Sequence, residues 1–356
     1  MKMKKMLSLL LVLVLSISMV ACNSNDSNTT STTQAANNQA TETATNAPAE
    51  SITLQIACSA SDTSPGAVTA FKVAELIQQK SGGSIKVDVY PNAQLGGDRE
   101  LIESTQAGSL AMTTLTTAPM VSFIPELAVF DMPVALTDLD VAYEVVNGAF
   151  GDLIKEKYEG AGFKLLMIVP DSFRIMSSNV DIKKFEDFKG IDIRTMENKY
   201  HMAFWKNLGA NPTPLAFGEL YIALQQGLVK AQENPYATIV ASKLYEQQKY
   251  IVNTNHIMFL STTVMNKDVY DGLSAEHKAV IDEAFAEATE FAFAEGSRQA
   301  GVALQALKDA GLEIIDLPAA EYAKVQEAAK PVYEMIKNDI GPELVDALLK
   351  ALDDAK

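Results

Sequence analysis

Two cysteines and three histidines in 356 residues leave little from which to build a disulfide framework or a metal centre. If Cys22 is used as argued below, Cys58 stands alone, so an ordinary hydrophobic core must hold the fold without covalent staples. His201, His256 and His277 lack the close spacing of a metal cluster and read as surface or structural histidines. Positive charge is scarce: 29 Lys and Arg against 45 Asp and Glu give a formal net charge of −16. That balance argues against nucleic acid and against adhesion to anionic lipid. After residue 20 no apolar run approaches the ~18–20 residues of a membrane-spanning helix. A Walker loop, a Gly-x-Ser-x-Gly elbow and a His-Glu-x-x-His helix are all missing. Gly160-Ala-Gly162 lacks the third glycine of a dinucleotide loop. With no nucleophile–base or paired-carboxylate arrangement either, a secreted hydrolase is disfavoured, and no cofactor or metal is expected.

The start of the chain carries an address. Lys2, Lys4 and Lys5 precede an apolar stretch from Leu7 to Val20, and Met19-Val20-Ala21-Cys22 closes it. A short apolar run behind a cationic tip is a secretion signal rather than a spanning helix. A cysteine directly after a small residue looks like a bacterial lipobox, in which the thiol takes a diacylglycerol. Cleavage after residue 21 would leave 335 residues and, with three lysines lost, a net charge of −19. From Asn23 to about Glu50 the chain is Asn, Ser, Thr, Gln and Ala, too polar to offset its ordering entropy, so residues 22–50 are predicted to be a flexible tether. The expected location is extracytoplasmic, at the membrane surface through the lipid alone.

The remaining ~305 residues suit one large or two ordinary domains. Strand and helix patterns alternate from Ile52: strands at Ile52–Ala57, Ile85–Tyr90 and Leu110–Leu115, and helices at Pro65–Lys80 and Asp98–Ala107. Such alternation indicates βαβ units and largely parallel sheets. A second set begins after Pro170, with strands at 191–194 and 228–232 and helices at 202–208 and 217–227. Ile257–Asn266 reads as a strand passing between lobes, Ser274 to about Ala310 as one long helix, and 319–337 and 342–354 as two further helices. The predicted architecture is α/β and two-lobed, each lobe a mostly parallel sheet flanked by helices. Lobe I comprises 51–171 plus about 261–299, and lobe II comprises 172–260 plus about 300–356. Phe291 and Phe293 at helical spacing read as core, Trp205 as helix packing, and Tyr200-His201 as an exposed helical turn.

A cleft between two α/β lobes is a common ligand site, but residues must supply the chemistry. Arg194 ends a strand, sharing a face with Asp192, where open α/β sheets present side chains to a crevice. Its guanidinium matches a carboxylate bidentately. Arg174, in Asp171-Ser-Phe-Arg174, holds a matching edge. The competing account for either arginine is a surface bridge to Asp192 or Glu197.

The motifs tip this balance. Tyr90-Pro-Asn-Ala-Gln-Leu-Gly-Gly-Asp98, Val129-Phe-Asp-Met-Pro133, Phe188-Lys-Gly-Ile-Asp-Ile-Arg194, Gly209-Ala-Asn-Pro-Thr-Pro214, Ala223-Leu-Gln-Gln-Gly227 and Gln232-Glu-Asn-Pro235 run with family-like spacing from about Thr53 past Leu273. The sequence resembles the solute-binding proteins of TRAP (tripartite ATP-independent periplasmic) transporters, the dicarboxylate-binding-subunit type. The resemblance implies a receptor, not an enzyme, that delivers a small organic acid, either a sugar acid such as a uronate or a C4-dicarboxylate, to membrane permease subunits driven by an ion gradient. It implies that Arg194 grips the carboxylate, that Arg174 and Asn234 assist, and that Phe217 packs against the ligand. Asp98, Ser59 and Thr116 come from the other lobe and resemble its specificity positions. One departure is Lys230-Ala231, where members often carry Asp-Gly, which puts the loop beneath Asn234 in question. The binding protein of an ATP-driven importer shares the two-lobe plan but not the Asn-Pro-Thr-Pro and Gln-Glu-Asn-Pro pair. A ligand-presenting sensory protein is the other alternative.

Overall fold

The computed structural model describes residues 51–356; the signal segment 1–21, Cys22 and the tether 22–50 lie outside the described residues. Nine strands form: β1 Ile52–Ala57, β2 Ile85–Tyr90, β3 Met112–Thr116, β4 Phe163–Ser178, β5 Asp192–Thr195, β6 Asn211–Pro214, β7 Ala231–Asn234, β8 Tyr250–Asn266 and β9 Glu313–Ile315. They make one continuous sheet in the order β2-β1-β3-β8-β4-β7-β5-β6, with β9 beside β8. Parallel pairs lie towards both ends, β1 with β2 and β3, and β5 with β6 and β7. The centre is antiparallel, where β8 meets β3 and β4 and where β4 meets β7. The two lobes are built on the two parallel groups, and β4 and β8, of 16 and 17 residues, run through both.

The sequence reading placed a crossing strand at 257–266 and none over 163–178. Pro170 hides β4, because proline in a central strand normally argues against one. The chain accommodates it at a break in register, with Pro170 opposite Leu260 and Ser172 opposite Phe259. A larger break separates Arg174↔Ile257 from Met176↔Val252. There β8 bulges through residues 253–256, and Asn255 takes φ 38°. Such irregularities re-aim side chains, and here they turn His256 inward.

Helix starts follow local capping. Ser64 accepts from the Ala67 N–H ahead of Pro65–Lys80, and Asp138 from Asp140 and Val141 ahead of Leu139–Asn147; each satisfies an otherwise orphaned donor. The long helix Ala275–Asp309 packs on the first-lobe helix Pro65–Lys80 and on Tyr236–Ala241 of the second, so it also spans both lobes. Helix Ala319–Ile340 lies on Lys199–Asn207, and Pro342–Asp354 on Leu139–Asn147 and Ala149–Gly160. Trp205 is fully buried, edge-on to Phe204 at 5.4 Å and 6.0 Å from Phe188, as expected of helix packing. No helix among the described residues is long and apolar enough to cross a membrane.

Candidate functional site

The motif residues fix the site through backbone chemistry first. Gly209 takes φ 89° where the helix Lys199–Asn207 turns back, and Asn211-Pro-Thr-Pro214 then pairs in parallel with β5. Pro212 and Pro214 cannot donate to a further strand, which suits their place on the sheet edge. Leu215 follows, its N–H donating to Thr195 O at 3.2 Å. Its carbonyl then accepts from Arg194 Nε at 3.0 Å and Nη2 at 2.7 Å. The Lys230-Ala231 departure leaves the neighbouring strand intact, because Ala231 is fully buried and pairs with both Ser178 and Ile193.

Arg194, Arg174, Asn234, Phe217, Asp98, Thr116 and Ser59, the seven residues singled out from sequence, all line one cavity. Its empty volume is about 610 Å³, the open mouth included, within the usual range for small-molecule sites. A second hollow shares Asp98, Arg194 and Phe217 with it and extends to Arg99 and Phe123. Sequence reasoning missed Phe259, Asp171, Thr114, Ser261 and Thr238 on the cavity wall. Each comes from a strand or helix whose face depends on pairing not written locally.

Both arginines are 1% exposed, so the surface-bridge account fails. Asp192 instead accepts from Asn211 Nδ2 at 3.1 Å. Arg174 is held by Glu233: Nε to Oε2 at 2.5 Å, Nη2 to Oε1 at 2.8 Å, and Nη2 to the Glu233 carbonyl at 2.5 Å. Its Nη2 also reaches Asn234 Oδ1 at 3.1 Å. Arg194 has no carboxylate within salt-bridge distance among the described residues; its partner is a neutral carbonyl, with the Phe217 ring 5.8 Å away. In both guanidiniums Nη1 is buried and lacks a hydrogen-bond partner. Burial lowers Arg194 to about 10, against the pull of Glu233 and Asp98 and with the push of Arg174. It therefore stays charged near neutrality.

Behind Arg174 lies a buried network that the sequence did not announce. Glu233 Oε2 also accepts from His256 Nε2 at 3.1 Å, and Oε1 lies 3.9 Å from His201 Nδ1. His201 Nε2 meets Asp131 Oδ1 at 3.0 Å, and Asn198 Nδ2 donates to Asp131 Oδ2 at 2.6 Å and to Ala118 O at 3.0 Å. Asn198 Oδ1 meanwhile caps its own helix, accepting from Tyr200 and His201 N–H. Tyr200 and His201 are thus not an exposed turn: they are 1% and 0% exposed, because Asp131 from the first lobe supplies a carboxylate to the helix. Burial alone would lower His201, but Asp131 and then Glu233 outweigh it and raise it to about 9. Burial would raise Glu233, but Arg174 and the two histidines hold it well below the usual carboxylate range.

Facing the arginines, Ser59 Oγ donates to Asp98 Oδ1 at 2.5 Å. Burial pushes the Asp98 carboxyl up, while Ser59 and both arginines pull it back. Cys58 lies on the same wall, 2% exposed, its thiol pushed up to about 12 by burial and then by Asp98. Among the described residues no cluster of His, Cys, Asp and Glu is arranged to hold a metal. The arrangement therefore presents two fixed cations and two aromatic rings, Phe217 and Phe259, on one side, with a carboxyl and hydroxyls opposite.

Comparison with known proteins agrees with this layout. The model of bacterial extracellular solute-binding protein family 7 (DctP) matches residues 56–339. A C4-dicarboxylate-binding periplasmic protein of Rhodobacter capsulatus is 33% identical over 305 residues, 85% of this chain and 92% of its own. The crystal structure of a sugar acid binding protein from Advenella mimigardefordensis in complex with galactonate superimposes with a TM-score of 0.84 at 33% identity, covering 86% of this chain and 99% of that one. A TRAP periplasmic solute-binding protein from Sulfurospirillum deleyianum with bound succinate gives 0.80 at 29% identity, covering 84% and 98%. The chain belongs to extracellular solute-binding protein family 7, the DctP-type solute-binding proteins of TRAP transporters.

Proposed function

We propose that this family-7 receptor captures a small organic acid by its carboxylate and delivers it to the membrane permease subunits of an ion-gradient-driven TRAP transporter. The observation that carries the reading is the pair of buried guanidiniums on one cavity, each with an unpartnered Nη1. A buried donor left unpaired costs about 1–3 kcal/mol, more when charged. A ligand carboxylate relieves that cost, and Arg194, which lacks a protein counter-charge, has the most to gain. Arg194 is then the main contact, Arg174 and Asn234 fix orientation, and Phe217 covers the ligand. Asp98, Ser59 and Thr116 read the rest of the molecule from the other lobe.

The role is capture rather than catalysis. His256 and His201 are engaged inward on Glu233 and Asp131, and Cys58 holds its proton firmly. Galactonate and succinate in related structures support a carboxylate as the shared ligand feature. With lobe I taken as 51–171 plus about 261–299 and lobe II as 172–260 plus about 300–356, closure is a hinge movement about β4 and β8. The ligand stabilises the closed state through contacts made only there. Cys22 carries the lipid that keeps the receptor at the outer face of the membrane.

A thermal-shift panel of aldonates, uronates, C4-dicarboxylates, 2-oxoacids and amino acids tests this. A ligand at ~100 times its dissociation constant adds about 2.7 kcal/mol. One carboxylate class should raise the melting temperature, and Arg194→Ala should abolish the shift. An undiminished shift in that variant, or none with any carboxylate, overturns the reading.

A further inference from the structure

We propose that Asp171 is an additional ligand contact, accepting a hydrogen bond from a hydroxyl group of the bound acid and selecting hydroxylated monocarboxylates over dicarboxylates. The proposal rests on the carboxylate-receptor reading and deepens it.

Asp171 is the extra residue at the β4 register break, between Pro170 opposite Leu260 and Ser172 opposite Phe259. A bulge of this kind frees a side chain from the alternation of its strand, and this one lies on the cavity wall beside Thr114, Ser261 and Thr238. Asp171 is 5% exposed, its Oδ1 has no hydrogen-bond partner, and no Lys, Arg or His lies within salt-bridge distance of it among the described residues. The helix Ala275–Asp309 packs against the carboxyl: a Cβ on Gly296 would stand 2.7 Å from Oδ1 and 3.1 Å from the Asp171 carbonyl. The bare Cα of Gly296 thus lets the helix approach this carboxyl closely. Burial, with Glu295 adding to it against a pull from Ser172, raises the group to about 7.

A buried carboxyl without a cation is costly unless something donates to it. The charge around the cavity says what that donor can be. Glu233 already matches Arg174, whereas Arg194 has no carboxylate at salt-bridge distance among the described residues, and Asp98 and Asp171 are two acids on the wall. One ligand carboxylate satisfies Arg194. A second would have to share Arg174 with Glu233 or else face Asp98 or Asp171. Hydroxyl groups on the remaining carbons meet both acids without that repulsion.

The test measures calorimetric affinities of the purified protein and its Asp171→Ala, Asp171→Asn and Arg194→Ala variants. The ligands are six-carbon aldonates, the series of their mono-deoxy analogues, and succinate. In the wild type, one deoxy position should weaken binding by about 10- to 100-fold, and succinate should bind more weakly than the aldonate. Asp171→Ala should show the same loss for the parent aldonate and little further loss for that one deoxy analogue. Asp171→Asn, which keeps the shape and drops the charge, should narrow the gap between aldonate and succinate. If Asp171→Ala weakens every analogue by the same factor, or weakens none, or if succinate is the preferred ligand of the wild type, the proposal is overturned. Arg194→Ala separates the two readings: unchanged affinity there removes the carboxylate clamp itself, whereas lost affinity with an additive Asp171 series removes only the inference drawn here.

Discussion

Replacing Glu233 by glutamine keeps the shape of the side chain and removes its charge. In the native protein that carboxylate takes Arg174 Nε at 2.5 Å, Arg174 Nη2 at 2.8 Å and His256 Nε2 at 3.1 Å, all of them fully buried. The amide cannot compensate a guanidinium that is 1% exposed, and breaking such a buried pair costs about 3–5 kcal/mol. A folded unit of ~300 residues melts with an entropy of about 0.6 kcal/mol/K, so the loss should lower the melting temperature by about 5–8 °C. Differential scanning calorimetry of the ligand-free protein at pH 7 reads this directly. A double variant, Arg174→Met with Glu233→Met, should recover much of the stability, since exchanging a whole buried pair for apolar groups is often neutral. It should not recover ligand stabilisation. A Glu233→Gln protein melting within about 1 °C of wild type would refute the claim that this carboxylate holds Arg174 in place.

The same network sets a pH dependence: His201 is raised to about 9, so its contribution is complete below the unfolded value near 6.5 and is lost as pH rises through about 9. Urea titrations between pH 6 and 10 should show a decline on the order of 3 kcal/mol that His201→Asn flattens; an equal decline in that variant would point to another group. Asp131→Asn leaves His201 buried beside a neutral partner, so a loss of about 3–5 kcal/mol is expected by the same urea assay. Cys58, buried with its thiol raised to about 12, should resist iodoacetamide at pH 8 in the native protein and react only on unfolding, as mass spectrometry of labelled protein would reveal.

What the sequence made legible was whatever is written locally. Arg194 could be read from the seven contiguous residues Phe188 to Arg194, and the Asn-Pro-Thr-Pro and Gln-Glu-Asn-Pro motifs announce the edge strand and β7 that flank it. Glu233 stood inside a quoted motif, yet its role was invisible because its partners, Arg174 and Asp131's neighbour His201, lie 59 and 32 positions away. His201 looked like a solvent-facing polar residue, since the carboxylate that buries it is 70 residues upstream. Asp171 depends on a register break that exists only once β4 lies against β8. Local chemistry announced the elements and the two arginines; the layer of charge behind them is a product of topology.

The two central strands also bear on how the molecule comes into being. β8 occupies residues 250–266, yet it supplies the neighbour of β3, which ends at Thr116, and of β4, which begins at Phe163. Neither lobe can complete its sheet until that late segment has arrived, however well the earlier helices form. Contacts across so long an intervening chain are slow to establish, because loop closure must be achieved before any pairing rewards it. Once folded, the chain cannot surrender one lobe and keep the other: removing β8 strips the inner edge from both, so the two should unfold together in a single step.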